Sequence, residues 1–340
     1  MNERKHVVVL VPREEFARRF ASDAAPLPRN VCLLGWSPDI DEWFASPERV
    51  VEDPDWEHRV LPTLGFLEER VRPRLEPGAF WFLLCHHDGW RERIAWSDRY
   101  EWVDPGGADA IPEWRGAPGA LPRFSPSHRW VACYGAHRGD PSALLIPEAH
   151  WIAGAFHAAL FAEVASAMTP WESRRARAVY AGGDHGEIAN YFAPPAAREH
   201  PRRRLRSVVQ DERLPVDVDL GHGIARARQM TYRWILDVDG QVRTWGARAW
   251  KMASGSAVLS AASPWESFFT REFEPWVHFV PIANDFSDLA ERLAWCRDHD
   301  DECRRIAEAA GERAAVVYAP DRVAAGVARE LATLLRANGA

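Results

Sequence analysis

The chain has 340 residues, 47% hydrophobic and 27% charged, with a formal net charge of -7. That length suits one large domain or two ordinary ones, and the composition excludes a disordered or fibrous chain. The acidic balance argues against a nucleic-acid partner, which would call for a basic face.

The first predicted element is a buried strand over His6–Val11. Its apolar run, Val7 to Val11, is too short for a signal peptide or a membrane helix, so a cytoplasmic protein is expected. A helix over Trp56–Leu75 and a buried strand over Ala79–Cys85 follow. The Gly- and Pro-rich stretch Asp104–Ser127 reads as a long surface loop of the kind that lies over a cleft. Strands are expected over Trp130–Tyr134 and Ala143–Ile146, and a helix over Ala153–Ala167.

After a short break at Thr169-Pro170-Trp171, strands over Ala178–Tyr180, Tyr232–Leu236, Ala257–Leu259 and His278–Pro281 are predicted. They alternate with helices over Pro201–Asp211, Ala247–Ala253, Asp288–Cys296, Glu302–Ala315 and Arg322–Ala337, the last with an apolar stripe at Val323, Val327 and Leu331. Alternation of this kind predicts βαβ units and mainly parallel sheets, here in two α/β halves.

Individual residues leave alternatives open. Only Lys5 and Lys251 are lysines; the other cations are arginines, which reads as a GC-rich bacterial genome. Five scattered cysteines without metal-type spacing read as reduced core thiols. Asp237-Val238-Asp239 is either a carboxylate pair for Mn²⁺ or Mg²⁺ or the polar end of a strand; Asp217-Val218-Asp219 repeats the pattern. A metallohydrolase built on His86-His87-Asp88 lacks a partner cluster. Asp88, at the end of a buried strand, is either a general base or a turn cap, with Asp104 and Asp109 in reserve. The turn Gly182-Gly183-Asp184-His185-Gly186 would let a backbone approach a nucleotide closely.

The segment Tyr232–Ala310 carries a more specific signal. Glu274-Pro275-Trp276-Val277-His278-Phe279-Val280-Pro281, with Asp285-Phe286-Ser287-Asp288-Leu289 shortly after it, follows Trp245-Gly246-Ala247-Arg248 and Gly255-Ser256 along the chain. This succession resembles glycosyltransferase family 90, which includes the Rumi-type protein O-glucosyltransferases and fungal capsule xylosyltransferases. Upstream, Pro170-Trp171, Tyr180-Ala181-Gly182, Leu121-Pro122-Arg123-Phe124-Ser125 and the strand before Asp88 keep the family's order. Ala181 stands where the family usually has Arg.

The resemblance implies a GT-B-type α/β fold, with two Rossmann-like domains facing a central cleft and a C-terminal helix packing back. The expected boundaries are 1–168 for the acceptor domain, 169–318 for the donor domain and 319–340 for the helix. It implies an inverting, metal-independent transfer from a UDP-sugar to a hydroxyl of a glycan, such as a lipopolysaccharide or capsule precursor, without a cofactor. Asp88 would be the base. Gly182, Gly183, Arg243, Thr244, Trp245, Gly246, Ala247, Arg248 and Glu266 would hold the donor, and Asp109, Trp114 and Phe124 would meet the acceptor. Two alternatives remain: a metal-dependent GT-A-type enzyme using Asp237 and Asp239, and a non-catalytic sugar-nucleotide-binding relative.

Overall fold

A computed structural model describes residues 8–10, 31–38, 41–46, 56–78, 80–86, 89–91, 94–96, 131–138, 143–148, 155–184, 201–221, 223–240, 243 and 246–337. The chain divides into two compact units, Met1–Ala153 with Pro320–Ala340, and Gly154–Ala319. The division thus falls ahead of the helix Ala155–Ala167, which groups with the second unit, and the last helix groups with the first.

The first unit holds a six-stranded sheet in the order β1 (Val8–Leu10), β3 (Glu42–Ser46), β2 (Val31–Ser37), β4 (Phe80–Cys85), β7 (Val131–Cys133), β9 (Ala143–Leu145). β4, β7 and β9 are parallel, as alternation with helices predicts. β2 and β3, unforeseen as strands, form an antiparallel hairpin, and β2 is also antiparallel to β4, so the sheet is mixed. Asp41 turns the hairpin in a left-handed conformation (φ 53°), which Asp tolerates better than most residues. Three short strands, β5 (Gly89–Arg91), β6 (Ile94–Trp96) and β8 (Gly135–His137), lie outside this sheet, with β5 paired to the other two.

Helical turns run from Trp56 to Arg74 around the α-helix α1 (Leu61–Phe66). The last helix, Pro320–Ala337, packs on the end of this run and buries Val323, Val327 and Leu331, the stripe expected from its spacing.

The second unit carries a five-stranded, wholly parallel sheet. Its order is β11 (Val216–Asp219), β10 (Arg175–Ala181), β12 (Tyr232–Asp237), β13 (Ala257–Ala261), β15 (Val280–Ile282). Between strands lie α2 (Ala155–Ala167, ahead of β10), α3 (Pro201–Asp211), α4 (Arg226–Gln229) and α5 (Ala247–Ala253). α6 (Leu289–Asp298), α7 (Asp300–Val317) and α8 (Pro320–Ala337, in the first unit) follow the sheet. The short strand β14 (Trp265–Ser267) precedes β15.

β12 and β13 read as continuous apolar runs because each is central and covered on both faces. Trp234, Leu236, Leu259 and Val280 join Ile306 of α7 and Leu289 and Leu293 of α6 in one core. All five cysteines are buried thiols. The two-unit α/β organisation agrees with the GT-B-type expectation. Among the described residues, no helix is long and apolar enough to cross a membrane.

Candidate functional site

The order β11-β10-β12-β13-β15 contains one reversal. The chain leaves β10 toward β11 on one side, then returns past it to lay β12 on the other. In open parallel sheets the crevice at such a reversal, beyond the C-terminal ends of the strands, is where ligands bind. A cavity of about 490 Å³ opens there. Tyr180, Ala181, Gly182 and Gly183 line it from the end of β10, and Asp237, Val238, Asp239 and Gly240 from the end of β12. Ala247, Arg248, Trp250 and Lys251 of α5 complete the wall with residues of α3, α4 and the turns between.

Its charge is lopsided. Among the described residues, five cationic side chains (Arg202, Arg226, Arg243, Arg248, Lys251) line it with two carboxylates (Asp237, Asp239), and with Arg226 paired to Glu163 an excess of two positive charges is left. Asp237, buried at the end of β12, accepts from Arg248 Nη1 at 2.6 Å through one oxygen and from Lys251 Nζ at 2.9 Å through the other. Burial by itself would raise the Asp237 carboxyl pKa, but Lys251, Arg248 and Arg243 together hold it far below the usual carboxylate range. Burial conversely draws the Arg248 and Lys251 pKa values down against the pull of Asp237.

Asp239 is held in the same way. Arg243 Nε donates to one oxygen at 2.6 Å and Ser263 Oγ to the other. All four carboxylate oxygens of the Asp-Val-Asp motif are therefore engaged by protein donors, which makes it an ion-paired strand end. Arg243 also bonds the Ala261 carbonyl at 2.7 Å and Ser260 Oγ at 3.3 Å, so it braces the β12 and β13 ends together.

Gly182 and Gly183 both line the cavity. A Cβ on Gly182 would stand 2.7 Å from the Tyr180 hydroxyl, a contact no ordinary side chain tolerates. Arg202 of α3 spans the mouth, donating to the Gly183 carbonyl at 2.8 Å and the Asp239 carbonyl at 3.1 Å. Arg226 of α4 is paired with Glu163 of α2. Two buried polar atoms on the wall, Arg248 Nε and Gln229 Oε1, have no hydrogen-bond partner among the described residues. Such atoms call for a ligand or water.

The structure thus brings together Gly182, Gly183, Arg243, Ala247 and Arg248 of the expected donor residues. Gly246, which precedes α5, and Glu266, on β14 and accepting from Arg271 Nη2 at 2.8 Å, are not among the described lining residues. Thr244, Trp245, Asp88, Asp104, Asp109, Trp114 and Phe124 lie outside the described residues. His86 is buried after β4, while His87 is likewise outside them. Sequence reasoning missed Lys251, Arg202 and Arg226. For Lys251 a signal existed: it is one of two lysines in an arginine-rich chain, three residues from Arg248 on a helix.

Residues 157–324 match the profile of Glycosyl transferase family 90. This segment belongs to that family. It contains the parallel sheet and every described residue that lines the cavity. The chain is 26% identical to the uncharacterized protein 179R of Invertebrate iridescent virus 6, over 42% of this chain and 15% of that protein. It is 37% identical to protein O-glucosyltransferase 2 of Danio rerio, over 22% of this chain and 15% of that protein. The chain thus spans about 15% of the length of each of these relatives. Among solved structures, it is similar to the Anabaena protein HepE in complex with UDP-glucose, with a TM-score of 0.31 and 13% identity over 52% of this chain and 44% of that one.

Proposed function

We propose that the chain is a glycosyltransferase and that the cavity at the β10/β12 reversal receives the UDP half of a UDP-sugar donor. The sugar, of glucose or xylose type, passes to a hydroxyl of a glycan acceptor with inversion at the anomeric carbon. One observation carries this reading: among the described residues, positive charge exceeds negative by two in a cavity at the crevice where a doubly wound sheet takes its ligand. A diphosphate leaving group develops negative charge as the glycosidic bond breaks, and fixed cations in a partly dry site stabilise it. Membership of residues 157–324 in family 90 points to the same chemistry.

The charge that Mn²⁺ or Mg²⁺ would supply in a metal-dependent enzyme is provided here by Arg248 and its neighbours, with Asp237 and Asp239 occupied in holding them. We assign the base role to Asp88, which would take the acceptor proton as its oxygen attacks. A lipopolysaccharide or capsule precursor in a bacterial cytoplasm suits an acceptor of this class.

Calorimetric titration with UDP, UMP and uridine tests the reading, followed by a screen of UDP-sugars for slow hydrolysis. Affinity should rise with each phosphate, and one UDP-sugar should be turned over in the presence of EDTA. Equal affinity for UDP and uridine would remove the diphosphate from the cavity.

A further inference from the structure

Lys251 follows Arg248 by three residues on α5, and both side chains are buried. They meet the same carboxylate, one at each oxygen of Asp237. One carboxylate neutralises one of the two, so a positive charge remains over in the cavity wall. A buried charge without a counterion is costly, and native sites supply one.

Among the described residues, the other groups facing Lys251 do not meet that need. From β10, the Tyr180 ring lies 5.7 Å from Lys251 Nζ. Arg202 on α3 and Arg243 ahead of α5 add further positive charge, as does Arg248 on the same helix. Asp239, the other carboxylate of the wall, is held by Arg243 and Ser263. Arg248 Nε, beside Lys251 in the wall, has no partner among the described residues. An anion entering from the cavity completes this set.

We infer that Lys251 is a second contact, beside Arg248, for the donor diphosphate, and that Asp237 is the positioning residue that aims both cations at it. The inference rests on the UDP-sugar reading above. It assigns a ligand role to a residue that no motif singles out. Because burial lowers the Lys251 pKa and Asp237 opposes that shift, the contact fades on the alkaline side earlier than an ordinary lysine would.

The test is calorimetric titration of the full chain with UDP and with uridine, from neutral pH upward. Lys251→Met should weaken UDP binding about tenfold, the size of one charge-assisted hydrogen bond, with uridine affinity unchanged. Lys251→Arg should keep most of the affinity and flatten its alkaline decline. The double variant Asp237→Asn with Lys251→Met removes the carboxylate together with its lysine, so it keeps the buried charge balance and guards against misfolding of the single variant. It should remain weak toward UDP. Recovery of wild-type UDP affinity in the double variant, or an unaffected Lys251→Met, would make Lys251 only the counterion of Asp237 and overturn the inference. A wild type that binds uridine and UDP equally overturns the diphosphate reading instead.

Discussion

Arg174 Nη2 stands 2.9 Å from the point that a Cβ on Gly255 would occupy. The Arg174 guanidinium is buried and donates to the Thr169 carbonyl, to Ser256 Oγ at 2.6 Å and to the Ser254 carbonyl at 3.1 Å. It ties the approach to β10 to the turn between α5 and β13, and Gly255 takes that turn with φ 71°. Gly255→Ala meets both the left-handed backbone and the arginine. The variant should lose about 2 kcal/mol or more in urea unfolding.

Asp239→Ala leaves the buried Arg243 without its carboxylate. A stability loss of about 3–5 kcal/mol is expected by chemical denaturation, since a lone buried charge is the outcome. A metal-ligand role predicts something else: Mn²⁺ would raise the melting temperature of the wild type and leave the variant unmoved. The ion-paired geometry predicts no such difference.

Asp237 also sets an acid response. Its folded pKa lies far below the ordinary carboxylate value of about 3.9. A depressed carboxylate pKa contributes stability that is present above the unfolded value and is lost as pH falls toward the folded one. Wild type should therefore weaken progressively below about pH 5. Asp237→Asn should be less stable at neutral pH, and its deficit relative to wild type should shrink as the solution is acidified. A deficit that stays constant from neutral to strongly acid pH would dissociate the pair from the response.

Asp88→Asn should lower the rate of transfer about a hundredfold or more, the scale of a lost general base, and leave UDP affinity unchanged. Initial rates beside a UDP titration of the same preparation check it. Near-normal turnover would remove Asp88 from the base role.

What the sequence made legible follows the physics of burial. β12 was expected over Tyr232–Leu236 and spans Tyr232–Asp237, because a central parallel strand is apolar on both faces and stands out as a run. α5 and α3 occupy the expected residues. β11, Val216–Asp219, was missed because an edge strand with alternating Asp has no such run. The hairpin 31–46 was missed since its turn rests on Asp41 at positive φ rather than on glycine.

At the site, Gly182, Gly183 and Arg248 were readable from local motifs. The engagement of Asp237 with Lys251, fourteen residues apart, was not. It depends on α5 packing back over the end of β12, which no local spacing records.

The division of the chain has a consequence for synthesis. The first unit begins at the N-terminus, yet one of its helices, Pro320–Ala337, is translated only after every residue of Gly154–Ala319. Domains fold as units while the chain emerges. The unit bearing the cavity therefore has all its parts available before the first unit does, and the apolar stripe of Val323, Val327 and Leu331 is the piece for which the first unit must wait.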